Sequence, residues 1–352
     1  MALVLVGARL ALPSVLEHLV NRRLAHIPGY AGRVGDIDVA LWRGAYVLHD
    51  LDIRRTRGKV REPFFRAREI DFSLAWRELF HGKVVSDIHA TGAQLTVVTG
   101  RDVTRSQTDL DRRWQNVAES LFPIDITHLE ISDGLIRYID RTRDPAVDLF
   151  VTRVRLKATG LRNRRGEDGG GEFPADISLE GTSLGAGHLT ARLRAEPLAP
   201  QPHFHLGLKL TDVNLPAINP SLKAYANVDV SHGIFRLVVE MAGRDGAFRG
   251  YAKPFFEDLD FKNLADEHEG PGHAIWESVV AFVTDLVKNH PRDQLATRIP
   301  FRGRFGDAQV GFLATIRNVF RHGFVRAFNP TIEHSVHADK VNPDGTRRAG
   351  KN

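Results

Sequence analysis

The chain has 352 residues, enough for one large domain or two ordinary ones. Its 42% hydrophobic and 26% charged residues exclude wholesale disorder, and 48 Lys and Arg against 43 Asp and Glu leave +5, a small excess for a protein that wraps nucleic acid. With no cysteine, disulfides, thiolate metal sites and a cysteine nucleophile are all excluded.

Residues 1–24 open Ala2-Leu3-Val4-Leu5-Val6-Gly7-Ala8 and continue through Arg9 to Leu10-Ala11-Leu12-Pro13. Spanning a bilayer takes roughly 20 apolar residues, and Arg9, Glu17 and His18 interrupt that window. The segment also lacks the basic flank and small-residue cleavage site of a secretory signal. It reads either as a membrane anchor or as an amphipathic helix buried on the body.

From Gly35 onward alternation replaces the helical period. Ile37, Val39 and Leu41 interleave with Asp36, Asp38 and Ala40; Leu51 and Ile53 follow the same rule, as do Ile70, Phe72 and Leu74. Val154, Leu156 and Ala158 continue it, then Leu189, Ala191, Leu193 and Ala195, then Leu206, Leu208 and Leu210, then Phe235, Leu237, Val239 and Met241. Period 2 sustained over so many segments predicts antiparallel strands with one apolar and one solvated face. A weak internal repeat runs through Thr91-Gly92, Ser132-Asp133-Gly134 and Ser231-His232-Gly233, each flanked by strand-like residues. A polar residue before Gly predicts a hairpin turn at each, in a stacked β-meander.

Helical patterns are few. Residues 108–121 place Leu110, Trp114, Val117, Ala118 and Leu121 on one face; residues 273–289 and 311–328 are the other two, ending at Pro291 and Pro330. Residues 162–172 read as an exposed loop and the end of the chain as a disordered tail. The organisation expected is an N-terminal anchor or helix (1–24), a β-sheet body with one inserted helix (25–270), a helix-strand-helix cap (271–330) and a tail (331–352). Three helices are too few to cover so long an apolar face, which leaves a two-sheet sandwich, a closed barrel or a sheet curled into a groove.

A search for chemistry returns nothing specific. His203-Phe204-His205 and the pair His334 and His337 have no acidic partner at ligand spacing. Gly169-Gly170-Gly171 lacks the Lys-Ser/Thr of a phosphate loop, and no Gly-x-Ser-x-Gly elbow occurs. Asp258 and Asp260 alternate as a wet strand face does. The expectation is no enzyme, no catalytic residue, no cofactor and no metal. Arg164-Arg165 and Arg347-Arg348 fit either solvated loops or contacts with anionic lipid head groups or nucleic acid. The helix 311–328, with Arg317, Arg321, His322 and Arg326 outside its apolar arc, fits a core cap or a membrane-surface helix.

Several stretches resemble the AsmA-like bacterial envelope proteins, in a branch defined as a domain of unknown function. They are Leu10-Ala11-Leu12-Pro13, Asn21-Arg22-Arg23-Leu24 with Pro28-Gly29-Tyr30, Gly35-Asp36-Ile37-Asp38 with Leu41-Trp42-Arg43-Gly44-Ala45-Tyr46, and Leu121-Phe122-Pro123-Ile124 leading to Leu129-Glu130-Ile131-Ser132-Asp133-Gly134. Further on come Asp212-Val213-Asn214-Leu215-Pro216 and the run Asp293-Gln294-Leu295-Ala296-Thr297-Arg298-Ile299-Pro300-Phe301, with Thr315-Ile316-Arg317-Asn318-Val319 and Phe324-Val325-Arg326-Ala327-Phe328. The resemblance implies a mainly β fold, an elongated antiparallel meander curled into a hydrophobic groove, as in groove-shaped lipid-transfer proteins. It implies an inner-membrane anchor through the N-terminus, a periplasmic body in a Gram-negative bacterium, and a role in moving phospholipid or keeping the envelope intact. The phase of the alternation, taken with that fold, points to Leu189, Leu193, Leu206, Leu208, Leu210, Phe235, Leu237 and Val239 as groove residues for phospholipid acyl chains. A closed β-sandwich scaffold that binds an envelope protein partner is the alternative. No nucleic-acid partner is expected.

Overall fold

The computed structural model describes residues 2–27, 29–40, 44–56, 58–74, 85–100, 125–161, 175–196, 203–226, 229–261, 294–296 and 298–304. The chain is mainly β, with a long, mixed but chiefly antiparallel sheet, as the alternation predicts. The helices expected at 108–121, 273–289 and 311–328, the loop at 162–172 and the tail at 331–352 lie outside the described residues. The chain divides into two compact units.

The first unit contains helix α1 (Ala2–Leu24) and strands β1 (Tyr30–Arg33), β2 (Asp36–Ala40), β3 (Ala45–Arg55), β4 (Phe65–Leu74), β5 (Val85–Thr91), β6 (Gln94–Thr99), β7 (Asp125–Asp140), β8 (Val147–Leu161) and most of β9 (Ala175–Ser183). Registration turns the alternating residues into continuous apolar rows. Ile37, Leu48, Ile70, Ala90 and Ile131 stand opposite one another strand by strand, and so do Val39, Tyr46, Phe72, Ile88 and Leu129. Leu16, Val20 and Leu24, four residues apart on α1, pack against this core. Tyr46 stacks on Phe72 with ring centroids 4.7 Å apart, and burial pushes the Tyr46 hydroxyl up to about 12. Among the described residues no helix is long and apolar enough to cross a membrane.

At none of the three expected hairpin turns does the chain reverse: two lie within strands and the third is a break between β5 and β6. β7 runs unbroken through Asp133-Gly134, and β12 (Val230–Arg244) runs unbroken through Gly233. β5 and β6 flank Gly92 yet both continue alongside β7, with Thr91 opposite Ser132 and Gln94 opposite Leu135. Asp133 (φ 53°), Gly92 (φ 66°) and Gly233 (φ 143°) all have positive φ. A short polar residue beside Gly supplies that conformation, and a bulge uses it as readily as a turn. Asp50 (φ 52°) does the same in β3, so that Leu48 and Leu51, three residues apart, both enter the core. Among the described residues the two-residue hairpin is Asp245-Gly246, with φ of 51° and 72°, which joins β12 to β13.

A second correction concerns direction. β5 and β6 run parallel to β7, so the sheet is not a pure meander. Parallel neighbours need a crossover of a dozen residues or more; the chain between Thr99 and Asp125 has that length.

The second unit holds most of β10 (His188–Ala195), β11 (Phe204–Asn214), a 3-10 turn (Leu215–Ile218), helix α2 (Asn219–Ala226), β12, β13 (Ala247–Phe261), β14 (Gln294–Ala296) and β15 (Ile299–Arg304). The strands follow the order β10-β11-β12-β13, and β14 and β15 both pair with β13. The short α2 escapes a periodicity search because eight residues make barely two turns. Its signal is local: Pro216 and Pro220 each occupy an opening helical position, where the missing N–H costs nothing. Leu215 and Val230 form a small core with Ile218, Leu222, Phe235, Phe256 and Leu259.

Candidate functional site

Six of the eight predicted groove residues lie together on one face of β11 and β12. Leu206 stands opposite Met241, Leu208 opposite Val239 and Leu210 opposite Leu237, while Phe235 faces Val213 across the bulge at Asp212 (φ 58°). Residues directly opposed across antiparallel strands share a face. β13 extends the rows with Gly250 beside Met241, Ala252 beside Val239, Pro254 beside Leu237 and Phe256 beside Phe235. β15 adds Phe301. Leu189 and Leu193 alternate on β10, the strand next to β11.

Packing at one end of this face is set by aromatic rings seated over glycines. Phe204 stands opposite Gly243, Phe248 opposite Gly303 and Phe301 opposite Gly250. A methyl group at any of the three glycines would collide with the ring beside it. The rings thus replace the missing side chains and hold register. Phe248 and Phe301 lie 6.4 Å apart, and Phe235 and Phe256 close the other end at 5.1 Å.

Burial separates this face from the core of the first unit. Ile37, Leu48, Ile70 and Ala90 are buried, whereas of the eight candidate residues only Val239 is. Leu189, Leu193, Leu206, Leu208, Leu210, Phe235 and Leu237 are half-buried.

The reverse side of β12 and β13 carries a polar cluster that sequence reasoning missed. Glu240 is 0% exposed and Lys253 2%. The Tyr251 hydroxyl donates to Glu240 Oε2 at 2.6 Å, and His205 Nε2 lies 3.2 Å from Oε1. The Arg298 guanidinium sits 4.2 Å from the Tyr251 ring centroid and Lys253 Nζ 5.3 Å from it. Alternating Glu, Tyr and Lys on a strand look like a wet face, and only registration, which sets Glu240 opposite Tyr251, brings them together.

The other polar candidates do not converge. His203 and His205 point to different carboxylates, His203 Nε2 lying 3.2 Å from Asp245 and His205 pairing with Glu240. His334 and His337 lie outside the described residues. Asp258 sits at a kink (φ 50°), and Asp260 accepts a hydrogen bond from Ser231 Oγ at 2.8 Å. Among the described residues no group of three or more His, Cys, Asp or Glu is placed to hold a metal ion. No protein-family model and no curated protein matches the chain.

Proposed function

We propose that this chain is a non-enzymatic protein of the Gram-negative cell envelope, membrane-anchored with its body in the periplasm, whose apolar sheet face curls to hold or guide phospholipid acyl chains. The observation that carries this reading is the half-burial of Leu206, Leu208, Leu210, Leu237 and Met241 around the buried Val239 in the ordered rows of β11 and β12. Apolar area hidden from water contributes about 25 cal/mol per Å², so a contiguous face left half open favours an apolar occupant. Val15 and Leu19, exposed on α1 two turns and one turn before Arg22 and Arg23, support lipid contact at the N-terminal end. The resemblance to the AsmA-like envelope proteins supports the same reading.

One observation favours the rival, a packed β-sandwich scaffold for an envelope protein partner. The opposite side of β12 and β13 is itself fully buried at Glu240, Tyr251 and Lys253, as the middle layer of a sandwich would be.

The test is mass spectrometry of organic extracts from protein purified without detergent. Phospholipid is expected with the native chain and is expected to be lost in Leu208→Asp, which puts a charge at the centre of the rows. A native chain that carries no lipid sinks the acyl-chain reading. Fusions of a periplasm-dependent and of a cytoplasm-dependent reporter to the C-terminus test location separately; an inactive first fusion beside an active second one refutes it.

A further inference from the structure

Among the described residues the large apolar side chains left open to water are Val15 and Leu19, at 60% and 52% exposure. They are neighbours, one helical turn apart on α1. His18 follows Val15 by three residues, and Arg22 and Arg23 follow Leu19 by three and four; all three are exposed as well. Leu16, Val20 and Leu24 occupy the other side of the same stretch and pack on the core of the first unit. One side of the helix therefore holds the body, while the other sets two apolar side chains beside two guanidinium groups.

No carboxylate of α1 answers those charges. Glu17, the one acid of the helix, is half-buried and shares its row with Val20, Asn21 and Leu24, the side held against the sheet. On β2, which α1 packs against, Asp36 and Asp38 alternate with Ile37 and Val39. Those two apolar residues meet the core, so the carboxylates lie on the far side of the sheet. Arg22 and Arg23 make no ion pair among the described residues. Arginines in a last helical turn also favour the helix dipole, but that role gives an exposed valine and leucine nothing to do. A bilayer uses both kinds of side chain, the apolar ones entering the head-group boundary and the basic ones meeting anionic lipid.

We propose that this outward side of α1 docks on a bilayer that carries anionic phospholipid. The proposal rests on the membrane-anchored reading and deepens it by naming the lipid charge and the residues that recognise it. It does not need the acyl-chain face of the second unit. Each arginine near such a surface is worth about a fivefold gain in partition, roughly 25-fold for the pair.

The experiment is co-flotation of the full chain with vesicles of phosphatidylcholine alone and with vesicles of phosphatidylcholine and phosphatidylglycerol in equal parts. Native protein is expected to partition roughly 25-fold more strongly onto the mixed vesicles, and high salt is expected to remove the difference. Arg22→Gln with Arg23→Gln is expected to lose the preference. Arg22→Lys with Arg23→Lys is expected to keep it, because the surface attracts charge and does not require the guanidinium fork. Val15→Ser with Leu19→Ser is expected to weaken flotation with both kinds of vesicle. The proposal is overturned if native protein floats equally with both, which leaves the anchor reading standing, or with neither, which removes that reading as well. It is also overturned if the glutamine pair floats like native protein; a lower unfolding midpoint in that pair would then assign the arginines to the helix dipole. Acyl-chain occupancy is read separately, in the lipid extracts of native and Leu208→Asp protein.

Discussion

The carboxamide of Asn219 grips the backbone of Val230 at both ends, its Oδ1 accepting from the Val230 N–H at 3.0 Å and its Nδ2 donating to the Val230 carbonyl at 2.8 Å. The same fork recurs in the first unit, where Asn21 of α1 accepts from the Val34 N–H at 2.7 Å and donates to its carbonyl at 3.3 Å. In both places one side chain satisfies a buried valine whose N–H and C=O would otherwise need a partner strand.

Replacing either asparagine by alanine orphans both backbone groups. Each orphaned polar group costs about 1–3 kcal/mol when water cannot reach it, so Asn219→Ala and Asn21→Ala, which each orphan two, are expected to lower stability by about 2–6 kcal/mol. Urea unfolding monitored by circular dichroism measures this as a lower midpoint at unchanged slope. An unchanged midpoint in Asn219→Ala would show that water replaces the amide.

Much of the sheet was legible because burial at each strand position repeats every second residue. Ile37 and Val39, Ile70 and Phe72, and Leu206, Leu208 and Leu210 take the face their phase demands. Two things were not legible. A polar residue before Gly specifies positive φ but not whether the chain reverses there, so Asp133-Gly134 read as a turn yet lies inside the unbroken β7, while Asp245-Gly246 is a turn. Which polar residues meet is a property of registration, not of local pattern, and so the Glu240, Tyr251 and His205 cluster could not be read from β11, β12 or β13 singly. The apolar residues of the candidate site were found by phase, but how far each is buried depends on what packs above them.

The ring of Phe204 over Gly243 makes a sharp steric test. A Cβ at position 243 would lie inside the ring's van der Waals envelope, so Gly243→Ala is expected to destabilise by about 1–3 kcal/mol as an overpacking change. Shrinking the ring should relieve the clash. In a double-mutant cycle, Gly243→Ala with Phe204→Leu is therefore expected to cost less than the sum of the two single changes. Strict additivity would mean that the ring moves aside freely.

Acid stability has an identifiable contributor in Asp52. Burial raises its pKa, but hydrogen bonds and charge from Arg54 and Arg66, at 2.7 and 2.8 Å, outweigh that and hold the carboxyl below its ordinary value. A folded pKa below the unfolded one, about 3.9 for Asp, means the contribution is complete above pH about 4 and is lost as pH falls through the folded value. Both arginines are substantially exposed, which limits the effect to about 1 kcal/mol or less. Asp52→Asn is expected to be less stable than native protein at pH 6 and to lose less stability between pH 5 and 3. Unfolding midpoints across that range check the sign; parallel curves would show that Asp52 does not titrate with folding.

The 2.6 Å bond from Tyr251 to the fully buried Glu240 is expected to dominate the energetics of the second unit. Tyr251→Phe keeps the ring beneath Arg298 and removes only the donor, so its cost isolates the hydrogen bond to a buried acceptor, about 1.5–3 kcal/mol when that acceptor is charged. Removing the acceptor as well erases the need for the donor. Glu240→Leu with Tyr251→Phe is therefore expected to be more stable than the sum of the single changes allows, by about 1 kcal/mol or more. Such coupling would identify the pair as one structural unit that fixes the register of β12 on β13, and with it the alignment of Leu237, Val239 and Met241 on the opposite face. Absence of coupling, with Tyr251→Phe near native stability, would mean that Glu240 is satisfied by its other partners and that register is held by the aromatic–glycine contacts at Phe204, Phe248 and Phe301.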